Sequence, residues 1–494
     1  MLVACVVLWA ILVTARHVWA GDIRLHLASI YALEKDLWTP RDPLVGAAQG
    51  SPYYSPYLLT LAVIGRVTGA SPQALLECAG LCNVVLLLVG VRRFCGHFRR
   101  PSVTATLVVV FTLTLWGLHP RDWSGFLGLY SLSWTLGYPS VFATALMLFI
   151  WDAFLRFRSR PAGTRAWADL MTVAVPGGVL VLVHPFTAIN TVLGLVAFAL
   201  ADHRGLRGRR LVRLAIAAVP TVVIVTLWPW SNILALFGAS GEFSDVHKIL
   251  IEDVARDWGF FGYGLALVGL PALMTGARRP LGRELQLLFG LSAGLVAFGA
   301  ATGSYGFARV IPVVMLSLHL ALASYLADRT ARWDVGSITY AVVAVLACAV
   351  GLYGNAGGLI RAYWGKVSSA DLRAWGARDP ANRYEPVISR IHRGDVVISD
   401  DRWAGRLVNA RGAYTVVPAW PYPFVDEAAR RRDSAMFFAR TTTPQQRLAI
   451  ADRYHVTCVL LSRGDAVLAA GPELPGFSLR ARTWRNGASV WCRP

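Results

Sequence analysis

The stretch QALLECAGLCNVVLLLVGVRRFCGHFRR, residues 73–100, decides the fold class. Between Gln73 and Gly90 its only charge is Glu77, and Arg92, Arg93, Arg99 and Arg100 follow at once. An apolar run of about twenty residues is what an α-helix needs to cross the hydrocarbon of a bilayer. Helix is the expected form because lipid offers no partner to backbone N–H and C=O groups. Working outward, similar runs lie near 1–19, 103–118, 131–155, 167–183, 186–202, 211–229, 258–276, 284–302, 307–327 and 336–354. With 73–92 these give a polytopic α-helical membrane protein of about eleven transmembrane helices.

Composition agrees. The chain is 55% hydrophobic and 16% charged, whereas soluble domains run near a quarter charged. Eighteen Trp and sixteen Tyr suit a protein with two membrane–water interfaces to anchor. A net charge of +19 invites a nucleic-acid reading. The basic residues, however, sit mostly in short loops between apolar runs, so topology explains them and no nucleic-acid partner is expected. Nearly all are Arg, with Lys only at Lys35, Lys248 and Lys366, the bias of a high-GC bacterial genome.

The loops set the orientation. Arg156, Arg158, Arg160 and Arg165 follow the fourth run, Arg204, Arg207, Arg209 and Arg210 the sixth, Arg278, Arg279 and Arg283 the eighth, and Arg329 and Arg332 the tenth. Every second loop is basic and the alternate loops are not. The positive-inside rule puts the basic loops in the cytoplasm, with the N-terminus there too, in a multi-pass protein of the cell inner (cytoplasmic) membrane. The first run lacks the charged n-region of a signal peptide and reads as a retained span. The loops 22–55, 119–130 and 230–257 and the C-terminal region then lie outside. The segment PYLLTLAVIGRVTG, 56–69, is short and contains Arg66. As a span it would push five basic loops outward, so it reads as an amphipathic helix on the outer surface. RLHLASIYALEKD, 24–36, reads as a second such helix. Outer loop 1, residues 20–72, is thus two surface helices joined by WTPRDPLVGAAQGSPYYSP.

Domain organisation follows as a transmembrane domain, 1–355, and an extracytoplasmic domain, 366–494. In the latter the long apolar runs stop. DVVISD (395–400), YTVVPA (414–419) and CVLLS (458–462) read as buried strands, with helical patterns near 424–439 and 444–454. Thr443-Pro444 is a helix start, with Pro in the first turn. Strands alternating with helices predict a small α/β domain.

Of seven Cys, only Cys458 and Cys492 fall in this exported region. They are either a disulfide, which an outside compartment permits, or two buried thiols. No zinc pattern, P-loop or dinucleotide loop is present, so no metal and no cofactor is expected.

The most informative short segment is GDIRLHL, 21–27. Asp22 directly follows the first span on the outer side. A carboxylate at headgroup depth can act as general base on a hydroxyl whose partner is lipid-borne; the plainer reading is a polar stop and helix cap. Arg24 and His26 are candidates to hold a phosphate. The second outer loop, GLHPRDWSG, brings His119, Arg121 and Asp122, and Asp122 is a candidate second acid. His184 stands at a tight outer turn before Pro185, facing water or a cleft. Arg309, in SYGFARVIPVVML at the outer start of the tenth span, either grips a phosphate or snorkels. The loop carrying Glu242, Asp245, His247, Lys248, Glu252 and Asp253 is long enough for a lid, its charges read as mostly solvated.

In combination these features resemble the GT-C superfamily of membrane glycosyltransferases, in its bacterial, high-GC actinobacterial form. The carriers are an acid in the first outer loop (Asp22), a loop of two surface helices, a second acid-bearing loop (Asp122), and an exported α/β domain. VVISDDRWAGRLVNARGAYTVVPAW (396–420) and YPFVDEAARRRDSAMFFAR (422–440) also look like exported domains of such enzymes. The resemblance implies transfer of a sugar from a polyprenyl-phosphate-linked donor to a glycan, lipid or protein acceptor at the bilayer's outer face. Asp22 would deprotonate the acceptor. Asp122 and His119 match the second-loop position more loosely, and Arg309 would grip the donor phosphate. No second acid stands beside Asp22, a departure from members that carry an acidic pair there. Two rivals remain: a non-catalytic subunit of cell-envelope assembly, and a lipid or solute transporter.

Overall fold

A computed structural model describes residues 1–16, 21–118, 123–161, 163–202, 208–231, 242–255, 262–330, 334–364, 383–422, 424–462, 474–483 and 487–494. The chain is mostly helical and divides into two compact units. One comprises Met1–Val18, Glu77–Trp228 and Ser240–Gly376; the other comprises Trp19–Leu76, Pro229–Ala239 and Ala377–Pro494. The first outer loop therefore groups with the C-terminal region.

Among the described residues, six helices are long and apolar enough to cross a membrane: Pro72–His97, Pro139–Ser159, Thr164–Val183, Gly282–Thr302, Tyr305–Arg329 and Val335–Gly354. Shorter apolar helices include Leu2–Ala15, Pro101–Thr114, Pro185–Ala201 and Gly264–Met274. Proline punctuates the set. The run 131–155 is split into Leu129–Thr135 and Pro139–Ser159, the second helix opening on Pro139, where the missing N–H has no intrahelical partner to lose. Among its described residues, the run 258–276 holds a 3₁₀ turn, Gly264–Gly269, and a short helix, Leu270–Met274.

Tyr305–Arg329 is the centre of this unit, 89% of its apolar window buried, against 22% for both Gly282–Thr302 and Val335–Gly354. His319 lies midway along it, 1% exposed, its Nε2 2.8 Å from the Leu115 carbonyl. A group of that polarity is kept inside a helix bundle only with a partner, and a plain hydrophobicity count misses it. Tight packing is visible at Gly194, where an added Cβ would fall 2.2 Å from the Trp151 ring; that indole donates to the Thr191 carbonyl at 3.0 Å.

The arginines after the second and fourth runs are not simply solvated. Asp152, 4% exposed, accepts from Arg93 Nε at 3.3 Å and from Arg156, and lies 2.9 Å from His97 Nε2. Asp169 takes Arg156 Nε at 3.0 Å and Arg160 at 2.7 Å. Buried carboxylates are tolerated because several cations meet each of them.

The second unit contains a five-stranded sheet of order β2-β1-β3-β5-β4. Its strands are β1 (Val396–Ser399), β2 (Tyr414–Thr415), β3 (Cys458–Leu461), β4 (Ser478–Arg482) and β5 (Ser489–Cys492). β1 is parallel to β2 and β3, whereas β5 is antiparallel to β3 and β4. Helices Arg402–Ala410, Glu427–Phe438 and Pro444–Arg453 complete the α/β module. Thr443 and Gln446 form a reciprocal capping box at the last of these. One apolar core joins Val397, Val408, Leu460 and Val490; another joins Ile398, Phe437, Ile450 and Val459. Helices Ile23–Lys35 and Pro56–Thr68 of the first loop belong to the same unit. Pro56–Thr68 buries Tyr57, Leu58, Leu61 and Ala62 while leaving Val63, Ile64 and Val67 exposed.

Candidate functional site

In the second unit the chain turns through Gly21, at φ +58°, a conformation that costs glycine little. Asp22 follows at the N-cap of Ile23–Lys35 but makes no side-chain cap to it. Its carboxylate is taken elsewhere: Trp420 donates its indole N–H to Asp22 Oδ1 at 2.8 Å. Arg24 and His26, two and four residues beyond Asp22, are 2% and 8% exposed. Burial pushes the His26 imidazole down to about 4, against a partly compensating pull from the Asp22 charge. A ring this reluctant to ionise is neutral at ordinary pH.

Beside this group lies a second carboxylate that the sequence reading passed over. Asp42 is 0% exposed. It accepts from the Leu44 and Val45 backbone N–H groups, each at 2.9 Å, and from the Tyr422 hydroxyl. Tyr422 Oη is also 2.9 Å from Ser51 Oγ. Burial raises the acid above the usual carboxylate range although all three hydrogen bonds favour the anion. Tyr53 stacks on Tyr422, centroids 6.1 Å apart, and its phenol is pushed upward by burial and by the charges of Asp22 and Asp42. Leu25, Leu44, Val45, Ala419, Trp420 and Tyr422 form one buried cluster, so the first loop and the segment 419–422 pack as a single body. Asp42 lies 380 residues from Tyr422 in sequence, and no spacing rule could have paired them.

In the first unit, Arg309 sits in the 3₁₀ turn Tyr305–Val310 and is 5% exposed. Its guanidinium lies 5.4 Å from the Trp123 ring centre and 5.1 Å from that of Phe186, within cation–π range of both. His247, in a loop whose charges read from sequence as mostly solvated, is 5% exposed and contacts the same two rings, at 5.4 and 5.3 Å. His184 caps Pro185–Ala201: its Nδ1 accepts from Thr187 N at 3.2 Å. Its Nε2 lies 3.3 Å from Ser124 Oγ. Arg361, 5% exposed, covers Trp134 at 3.2 Å and is a further buried cation that the sequence did not single out. His119, Arg121 and Asp122 lie outside the described residues. Cys458 and Cys492, directly opposite on β3 and β5, are joined by a disulfide. Among the described residues no three His, Cys, Asp or Glu side chains gather as metal ligands would.

The sequence matches no family model and no curated protein. Solved structures do match. The arabinofuranosyltransferase AftD from Mycobacteria superposes with a TM-score of 0.62 at 16% identity, over 99% of this chain and 39% of AftD. ArnT from Cupriavidus metallidurans, in the apo state, gives 0.57 at 14% identity, over 99% of this chain and 96% of ArnT. This chain has the GT-C fold. At these identities the likeness is one of fold. ArnT bound to undecaprenyl phosphate gives a TM-score of 0.54 at 14% identity, over 99% of this chain and 97% of ArnT. A chain of this fold, with six long apolar helices among its described residues, is a multi-pass membrane protein. It spans about two fifths of AftD's length.

Proposed function

We propose that this chain is a membrane glycosyltransferase that moves a sugar from a polyprenyl-phosphate donor to an acceptor hydroxyl at the outer face of the cytoplasmic membrane. The observation that carries the reading is the match to ArnT, whose undecaprenyl-phosphate-bound form shares this fold along nearly its full length. The half-buried carboxylate of Asp22, withheld from its own helix, supports it from the chemistry.

In this reading the chain crosses the bilayer about eleven times with its basic loops inside. Helices Ile23–Lys35 and Pro56–Thr68 lie on the outer surface, the exposed Val63, Ile64 and Val67 facing lipid. Asp22 accepts the proton of the acceptor hydroxyl as general base. The acceptor oxygen bonds to the anomeric carbon while the carbon–oxygen bond to phosphate breaks, its electron pair leaving on the phosphate. A single displacement inverts the anomeric centre. The polyprenyl phosphate departs as an anion and needs little acid assistance. Arg309, within cation–π distance of two aromatic rings, is assigned to the donor phosphate, where a rigid guanidinium offers paired donors. Asp122 and His119 are assigned to the second outer loop's share of the site, and Arg24, His26 and His184 to substrate contacts.

The test is direct. Purified protein in detergent or vesicles receives a panel of polyprenyl-phosphate sugars and candidate glycan, lipid and peptide acceptors. Release of free polyprenyl phosphate with an inverted glycoside is expected from at least one pairing. Absence of release from every donor, with the protein folded, contradicts the assignment.

A further inference from the structure

We propose that Trp420 is a positioning residue of this transfer reaction: its indole N–H holds one oxygen of Asp22 and leaves the other to take the acceptor's proton. The proposal rests on Asp22 being the general base.

How the chain treats its other helix starts makes the point. Ser55, Asp401, Asp426, Asp334 and Thr443 each accept from a backbone N–H of the helix they open. Such a cap stabilises a helix by about 1 kcal/mol. Asp22 stands at the start of Ile23–Lys35, but its backbone is already helical there (φ −74°, ψ −7°), so its side chain is not turned onto the first-turn N–H groups as a cap requires. Its Oδ1 is aimed at Trp420 instead, 398 residues away. The first turn's N–H groups of Leu25 and His26 are met by the Asp22 backbone carbonyl, at 3.0 and 3.2 Å, so the side chain is released from that duty.

An indole suits the role. It is a donor only, so it cannot take the proton that the base must receive. Trp420 is 6% exposed and clamped among Leu25, Leu44, Val45 and Tyr422. Arg406 covers its ring at 5.0 Å and donates Nε to the Ala419 carbonyl at 3.3 Å. The donor therefore keeps its direction while substrates come and go, which is the preorganisation a base needs. The same contact makes the segment ending at Trp420 part of the catalytic apparatus and not merely a tethered binding module.

The decisive variant replaces Trp420 by 3-(3-benzothienyl)alanine, which keeps the bicyclic shape and deletes only the N–H. W420F is its genetically encoded companion. With saturating polyprenyl-phosphate sugar and acceptor, kcat is expected to fall roughly ten- to a hundredfold in the isosteric variant, the range for losing a hydrogen bond to a charged group. Both KM values should stay within about threefold and the melting temperature should not change. A kcat within about twofold of native, or a change confined to the acceptor KM, overturns the proposal. D22N measured alongside separates the layers. If D22N is inactive and the isostere fully active, only the role of Trp420 fails. If D22N turns over like the native enzyme, the base assignment beneath it fails.

Discussion

Trp420 and Asp22 are bound by a 2.8 Å hydrogen bond although 398 residues separate them. The contact ties the stretch that follows the first apolar run to the stretch that follows β2, within one compact unit. In the proposed reaction the carboxylate must point one way when the acceptor arrives, and a buried indole N–H holds it so without offering a proton sink.

The neighbouring carboxylate has a different task. Asp42 is fully buried and bonded to two backbone N–H groups and to Tyr422. It fixes the linker between the two first-loop helices. Y422F should destabilise the protein by about 1–3 kcal/mol, because a buried acceptor loses a donor. D42A should cost more, since it strands both N–H groups and the tyrosine hydroxyl. Thermal melting of purified variants reads both effects.

His26 should make stability pH-dependent. Its folded value is about 4 against an ordinary 6.5, so between those values the unfolded chain binds more protons than the folded one. Stability is then fully present above about pH 6.5 and is lost as pH falls toward 4, by roughly 3 kcal/mol at most. H26Q should flatten this part of the profile, measured as melting temperature against pH.

The disulfide closes a loop of 34 residues. In the chain-entropy account such a link stabilises by about 3–4 kcal/mol. The double variant C458S/C492S should melt lower, and treatment of native protein with reductant should reproduce the shift.

Arg309 should matter through shape as well as charge. R309A is expected to lower kcat/KM for the donor roughly tenfold or more, through loss of charged hydrogen bonds. R309K should recover little of it, because an ammonium lacks the flat, forked donor set and stacks poorly between Trp123 and Phe186. Steady-state kinetics over a range of donor concentrations distinguishes the two.

What the sequence could disclose follows the range of the forces involved. Apolar runs and their arginine-rich ends are local, so helices occur in each stretch read as a span. The strands around Val397 and Val459 and the cap at Thr443 were legible for the same reason. β4 and β5 were not: β4 alternates little, with residues exposed along most of its length, and β5 is defined by its pairing with β3. The site was half legible. Asp22 stood out because it ends a long apolar run. Trp420, Asp42 and Tyr422 did not, because a contact across hundreds of residues leaves no spacing to read. The burial of His247 was not legible either, since loop position says nothing of the aromatic rings beside it.

The most direct test of the proposed chemistry is single-turnover transfer by native protein and D22N with the same polyprenyl-phosphate sugar and acceptor. The variant keeps the oxygen that accepts from Trp420, so it should remain folded, with an unchanged melting profile. The expected result is a fall in the transfer rate of at least about a hundredfold, the scale of a lost general base. Transfer by D22N at the native rate would contradict the assignment of Asp22.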